Sequence, residues 1–148
     1  MNSLSFKTAL GWITIKDFDK KILSVEFAKK KNKGKAENLV KIKKQIIDFC
    51  LGKKKRIEAN IEMVGTSLQK KIWKELLKIP YGSTKSYGEI AHKIKTSPRY
   101  VGNVCGQNKH VLIVPCHRVV RSDGSLGGFS SIGGIKLKKR LLKLEHHE

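Results

Sequence analysis

The sequence of 148 residues is poor in cysteine and has no long apolar run. The cysteines stand alone as Cys50, Cys105 and Cys116 without a CxxC pair, which argues against a disulfide framework and a cysteine-rich zinc site. The longest apolar run, Val111–Val114, is far below the ~20 residues of a membrane-spanning helix. The N-terminus has no charged start leading into an apolar stretch, so we predict no signal peptide.

Acidic residues are also scarce. The chain has 12 Asp and Glu against 32 Lys and Arg, a net charge of +20. This excess makes polyanions the expected partners, either nucleic acid or an anionic lipid surface. Isolated cysteines suit a reducing compartment, so we expect a cytoplasmic protein, or a nuclear one if the source is eukaryotic.

The pattern of residues 1–63 predicts a small strand-rich domain. Apolar and polar residues alternate from Leu4 to Thr8, and β-branched residues recur in 12–15 and 22–27, which predicts an antiparallel meander. Leu39–Leu51 has helical apolar spacing, and Gly52 follows where a C-cap glycine belongs. Two lysine-rich stretches, 29–35 and 53–56, are predicted to be solvated loops.

Residues 64–148 read as a second, mainly helical domain. One helix is expected from Thr66 or Ser67 through Ile79. Two short helices should follow: Ser86 and Glu89 form a capping box, and Ser97 precedes a helix-starting Pro98. These two helices form a helix-turn-helix pattern. Val111–Val114 is predicted as a buried strand and Ile135–Glu145 as the last helix, so the fold class is α/β (α+β), with a winged-helix-like second domain.

Cys116 is the first candidate for chemistry. A lone cysteine after an apolar stretch is more often a small buried apolar residue than a nucleophile. Here His117 and Arg118 follow directly, and cationic neighbours lower the pKa of a thiol. Neighbouring side chains in extended backbone point apart, so Cys116 and His117 need a bend or a bridging water to act together.

The segment Pro115–Val120 carries the string PCHRVV, which is identical to the signature of the O6-alkylguanine-DNA alkyltransferases. The whole stretch 65–145 resembles this family in the order and spacing of its motifs, whereas the N-terminal part resembles it more weakly. The other matching motifs are Pro80-Tyr81-Gly82, Ser86-Tyr87-Gly88, Ser97–Gly102, Asn108, Gly124–Ser130 and Leu141–Glu145.

The resemblance implies a DNA repair protein that moves an alkyl group from O6 of guanine, or O4 of thymine, irreversibly to Cys116. His117 is then expected to accept the thiol proton through a water, and Glu145 to orient the imidazole. Asn108 is expected to be the family's hinge asparagine. The thioether product is stable to water, so the resemblance implies one turnover per protein, with no metal and no cofactor.

The resemblance also implies double-stranded DNA as the partner of a monomeric protein, bound through the minor groove with the damaged guanine flipped out. The residues expected to contact DNA are Tyr87, Arg99, Gly102 and Arg118. Those expected to line the substrate pocket are Tyr87, Val119, Ser122, Phe129 and Ser130.

Other interpretations stay open at this stage. A helix-turn-helix protein that binds DNA without chemistry would share the charge and the helices, but the related alkyltransferase-like proteins lack the cysteine. A cysteine hydrolase lacks a recognisable oxyanion-hole pattern here and leaves the charge unexplained. The residues Leu144–His147 also look like the tail of an expression vector, although the leucines before Glu145 match the family pattern.

Overall fold

A computed structural model describes residues 1–127 and 134–146, and this part of the chain forms two compact units. The first unit is Met1–Met63 together with Lys109–Ile113. The second is Val64–Asn108 together with the described residues from Val114 onwards. The functional domains 1–63 and 64–148 remain a prediction; the structure groups Lys109–Ile113 with the first unit.

The first unit is built on a three-stranded antiparallel sheet. Its strands are β1 (Asn2–Thr8), β2 (Gly11–Phe18) and β3 (Lys21–Glu26), in the order β1-β2-β3. Alternate residues face the core, and helix α1 (Val40–Cys50) adds its own buried face to it. The residues buried in this way include Leu4, Phe6, Ile13, Ile15, Ile42, Ile46 and Phe49. The predicted meander and helix are confirmed, and Gly52 has the positive φ of a residue that ends a helix.

The lysine-rich stretch 29–35 is an exposed loop, as predicted, and it also pairs with the sheet. Lys33 exchanges two backbone hydrogen bonds with Ser3 on the free edge of β1, at 2.8 and 2.9 Å. The side chain of Asn32 accepts a third from the backbone of Ser5 at 2.8 Å. The segment therefore covers an edge strand, a role that depends on residues almost 30 positions away and has no local signal.

The second unit contains four described helices, α2 (Ser67–Leu76), α3 (Tyr87–Ile94), α4 (Pro98–Gly106) and α5 (Gly134–His146). The predicted caps are present: Ser86 and Glu89 form a capping box at α3, and Ser97 caps α4 before Pro98. Helix α2 ends at Leu76, earlier than the predicted Ile79. None of the described helices is long and apolar enough to cross a membrane.

Helices α3 and α4 pack against each other as the predicted helix-turn-helix. A short parallel pair joins β4 (Lys85–Ser86), just before α3, to β5 (Val119–Val120), just after the PCHR string. This pairing fixes the start of α3 beside the segment that carries Cys116.

The prediction of a strand over Val111–Val114 is wrong. These residues form turns, with Leu112 at a φ of 72°, although Val111, Leu112 and Val114 are buried. A short apolar run shows that a segment is buried without showing its conformation.

Candidate active site

Cys116 lies at the start of a tight turn in the second unit. The backbone bends at Pro115 and continues as a 3-10 turn over Cys116–Arg118, so consecutive side chains leave in different directions. The Cys116 side chain is buried, with 4% of the residue exposed. The backbone at Cys116 and His117 is therefore bent rather than extended.

Asn108 holds this turn from the end of α4. Its side-chain amide donates to the Val114 carbonyl at 2.8 Å and to the Cys116 Sγ at 3.2 Å. The residues between Asn108 and Val114 belong to the first unit. The hydrogen bond from Asn108 to Val114 therefore joins the points where the chain leaves the second unit and returns to it. A single side chain thus positions the sulfur and donates to it, which favours the thiolate.

The electrostatics of Cys116 differ from those expected from its neighbours in sequence. Burial raises the pKa of the Cys116 thiol, and the Asn108 hydrogen bond and the charge of Lys138 offset only part of this rise. The cation at Arg118 is instead engaged with Glu145. The prediction that adjacent cations lower the pKa is wrong, because burial outweighs the interactions that favour the thiolate. The resting thiol keeps its proton and needs a base.

His117 is oriented by Glu145 inside the protein. The His117 Nε2 lies 2.6 Å from the Glu145 Oε2, and both side chains are almost fully buried. Although burial alone would raise it, hydrogen bonds from His117 and Arg118 lower the pKa of Glu145 to about 2. Burial also lowers the pKa of His117. A neutral imidazole facing a carboxylate donates from Nε2, so the lone pair is on Nδ1.

The second ring nitrogen of His117, Nδ1, determines whether the imidazole can act as a base. It is buried and makes no hydrogen bond with any residue that the structure describes. An unprotonated, buried ring nitrogen is poised to accept a proton. The imidazole therefore has the tautomer of a general base.

Arg118 does not have the role predicted for it. Its guanidinium is buried, donates to both oxygens of Glu145 at 2.8 and 2.9 Å, and donates to the Ile79 carbonyl at 2.8 Å. This corrects the prediction that Arg118 contacts DNA, because its donors are directed into the protein. Arg118 instead balances the buried charge of Glu145, and this bonding makes Glu145 part of the folded structure rather than a tag residue.

Tyr87 lies within electrostatic reach of Cys116. It is half-buried at the start of α3, and burial, with smaller contributions from Cys105 and Cys116, raises its pKa to about 12. Gly127 leaves room for Tyr87, because a Cβ there would lie 2.9 Å from the hydroxyl, whereas a Cβ on Gly102 would make an ordinary contact with the ring at 3.8 Å. The φ of Gly127 is +71°, which adds a backbone reason for glycine there.

Lys138 is a site residue that the sequence analysis missed. This lysine of α5 is fully buried and donates to the Val119 carbonyl at 2.7 Å and to the Tyr87 hydroxyl at 3.3 Å. Burial lowers its pKa, and Cys116 is the first of the charges that oppose this shift. The available signal was spacing: Lys138 and Glu145 are seven residues apart, and hence on one face of the helix.

The remaining predicted site residues have different surroundings. Val119 is fully buried and lies in β5. Ser122 is exposed, and its hydroxyl lies 3.4 Å from the position of a Cβ on Gly88. Arg99 is exposed on the first turn of α4. Phe129 and Ser130 lie outside the described residues.

The sequence matches the family model described as "6-O-methylguanine DNA methyltransferase, DNA binding domain" over residues 67–147. A methylated-DNA--protein-cysteine methyltransferase of Mycobacterium bovis is 43% identical over 103 residues, which is 68% of this chain but 61% of that protein. One of Sulfolobus acidocaldarius is 32% identical over 95% of this chain and 90% of its own length.

The fold is similar to a solved structure described as Mycobacterium tuberculosis OGT in complex with DNA. The two agree with a TM-score of 0.85 at 30% identity, over 97% of this chain and 92% of that one. The similarity therefore extends through the N-terminal strands, where the sequence motifs are weakest.

Proposed function

The chain belongs to the 6-O-methylguanine DNA methyltransferase family, and on this basis we propose that it repairs DNA by moving an alkyl group onto its own Cys116. The donors are O6-alkylguanine and O4-alkylthymine. One observation supports the proposal most strongly: a buried cysteine that accepts a hydrogen bond from Asn108 is followed directly by a histidine held as a base by Glu145.

The first step is removal of the thiol proton. Burial keeps Cys116 protonated in the resting protein, so a base must act when the substrate arrives. His117 Nδ1 accepts this proton through a bridging water. Glu145, whose charge is already balanced by Arg118, stabilises the imidazolium that results.

The second step is displacement at carbon. The sulfur forms a bond to the alkyl carbon while the bond from that carbon to the base oxygen breaks, and the electron pair moves onto the base. The departing base must gain a proton or a strong hydrogen bond. The Tyr87 hydroxyl is suited to provide it, because its raised pKa keeps it protonated, and Lys138 lies beside it.

The product explains why one protein acts once. A thioether has no leaving group that water displaces, and the sulfur is buried. Alkylation therefore consumes Cys116, and each protein acts once. The proposed chemistry uses only side chains of this protein and needs neither metal nor cofactor.

Access to the lesion requires that the nucleotide leave the duplex. We propose that Arg99, which is exposed on the first turn of α4, fills the vacated stack, and that the small Gly102 allows the helix to approach the minor groove. We propose that the protein acts as a monomer on double-stranded DNA. The three free cysteines suit the reducing cytoplasm.

The alternative is a helix-turn-helix protein that binds DNA without chemistry. The variant Cys116→Ala separates the two functions. We expect it to bind duplex DNA as the wild type does, since lysines and arginines provide affinity, and to accept no alkyl group from O6-methylguanine. If the wild type binds DNA that contains O6-methylguanine but accepts no alkyl group from it, the protein binds DNA without alkyl-transfer activity.

A further inference from the structure

Half of the net charge lies in the unit that contains none of the proposed catalytic residues. The first unit holds 17 lysines and arginines against 7 acids, and the second holds 15 against 5, so each has a net charge of +10. None of the residues proposed for alkyl transfer lies in the first unit. A charge of this size on a small unit indicates a polyanion partner.

Part of this charge is collected on the outer face of the sheet. Side chains alternate along each strand, so Lys7 and Lys16 point away from the core that contains Leu4 and Ile15. The segment from Ala28 to Lys33 then crosses this face. The Thr14 hydroxyl, on the middle strand, donates to the Ala28 carbonyl at 2.7 Å and is fully covered.

The crossing segment is held in place rather than loose. The backbone of Lys33 pairs with Ser3, and the Asn32 side chain caps the backbone of Ser5. These bonds use backbone atoms and the asparagine, so they leave the ammonium groups of Lys31 and Lys33 exposed. We call the resulting surface the lysine face; it consists of Lys7, Lys16, Lys29, Lys30, Lys31 and Lys33.

One lysine of this face is positioned by an aromatic ring. The Lys29 Nζ lies 4.5 Å from the centroid of the Trp12 ring, and Lys7 is directly opposite Trp12 in the strand register. Trp12 is itself 36% exposed. A ring that holds a cation at the surface orders a side chain that otherwise moves freely.

Acids are nearly absent from the lysine face. Among the strand residues pointing to it and the segment 29–33, the acid is Glu26, which pairs with Lys30 at 2.8 Å. Asp17 in β2 is turned inward, where it accepts a hydrogen bond from Asn2. With six lysines and one glutamate, the lysine face carries a net positive charge.

We propose that the lysine face is a second DNA-contacting surface, which binds backbone phosphates while the helix-turn-helix unit engages the lesion. The choice of DNA rests on the proposed function. Because hydrogen bonds fix the backbone that carries these lysines, their ammonium groups are available to bind the phosphates of a DNA backbone. A lipid surface is a poorer fit, because membrane-binding faces insert apolar side chains, and the partly exposed ring of Trp12 already binds the Lys29 ammonium group.

The test uses two triple variants of the full chain with the same change of net charge. One is Lys7→Gln, Lys31→Gln and Lys33→Gln, on the lysine face. The control is Lys20→Gln, Lys41→Gln and Lys53→Gln, which are exposed lysines of the same unit outside that face. Affinity for undamaged duplex DNA is measured from 50 to 300 mM salt, conditions chosen to span physiological ionic strength, and vesicles of phosphatidylserine and phosphatidylcholine are tested in parallel.

In the lysine-face variant we expect the slope of log affinity against log salt to become shallower by about 2 to 3, since each lost phosphate contact contributes about 0.9. The control variant should change the slope by less than about 0.9, the contribution of one phosphate contact. Equal slopes in the two variants would overturn the proposal, as would loss of vesicle binding with an unchanged DNA slope. Both variants should react with free O6-benzylguanine at the wild-type rate; if the wild type accepts no methyl group from DNA that contains O6-methylguanine, the proposed chemistry fails while the comparison of slopes still stands.

Discussion

The imidazole of His117 and the carboxylate of Glu145 meet at 2.6 Å in the interior of the second unit, although 28 residues separate them in the chain. Because Glu145 stays ionised, it sets the tautomer of His117 and leaves the lone pair on the buried Nδ1. The contact joins the PCHR turn to the last helix, so folding of α5 completes the site.

Replacement of Glu145 by glutamine should slow alkyl transfer. The amide has no charge to stabilise the imidazolium, so the rate at neutral pH should fall by about 10²–10⁴-fold. Affinity for DNA should stay near that of the wild type. Single-turnover transfer measures the rate, with the exposed Glu37→Gln as the matched control. An unchanged rate between pH 6 and 8 would reduce Glu145 to a structural residue.

The same residue makes the stability of the protein depend on pH. The pKa of Glu145 is about 2 when folded against 4.5 for an ordinary glutamate, so its ionisation favours the folded state above pH 4.5. This contribution, on the order of 3 kcal/mol, should be lost as the pH falls from 4.5 towards 2. Urea unfolding at several pH values measures it. The gap between wild type and Glu145→Gln should narrow on acidification, and a gap independent of pH would contradict the assignment.

Gly127→Ala tests the position of Tyr87. The new methyl group would sit 2.9 Å from the Tyr87 hydroxyl and must displace it, so transfer from DNA should slow by about tenfold or more. Gly124→Ala is the matched control, because Gly124 also has a positive φ but has nothing within 4 Å of the added Cβ. If both variants slow transfer equally, backbone strain rather than Tyr87 is responsible.

Arg99→Ala should separate base flipping from chemistry. Repair of duplex DNA should slow strongly because unstacking is no longer compensated, while repair of single-stranded DNA or of free O6-benzylguanine should change far less. Arg99→Lys should restore a phosphate contact but only partly restore a planar filler. The exposed Lys71→Ala controls for loss of one positive charge. Equal slowing on duplex DNA, single-stranded DNA and free O6-benzylguanine would show that Arg99 has no role in base flipping.

Local signals in the sequence identified much of this site, and long-range contacts account for what they missed. The caps at Ser86 and Ser97 and the cysteine motif are short patterns whose meaning lies within a few residues. The burial of Arg118 depends on a carboxylate 27 residues further on, so its sequence position alone suggested an exposed cation.

Two further features have the same origin. The sequence alone suggests that Lys138 is a surface lysine of a basic helix, and its contacts with Tyr87 and the Val119 carbonyl show otherwise. The segment 29–35 is the exposed loop that was predicted, but its pairing with the free edge of β1 was not foreseen. In both cases the partner lies in another element, and composition cannot identify it.

The most direct test of the central claim is intact-mass analysis during incubation with duplex DNA that contains O6-methylguanine. The account predicts that the protein gains one methyl group in place of one hydrogen, that the gain stops at one per chain, and that peptide mapping places it on Cys116. Cys105, whose pKa burial raises to about 12, should stay unmodified. Repeated turnover, or a methyl group on Cys50 or Cys105 while Cys116 stays free, would contradict the account.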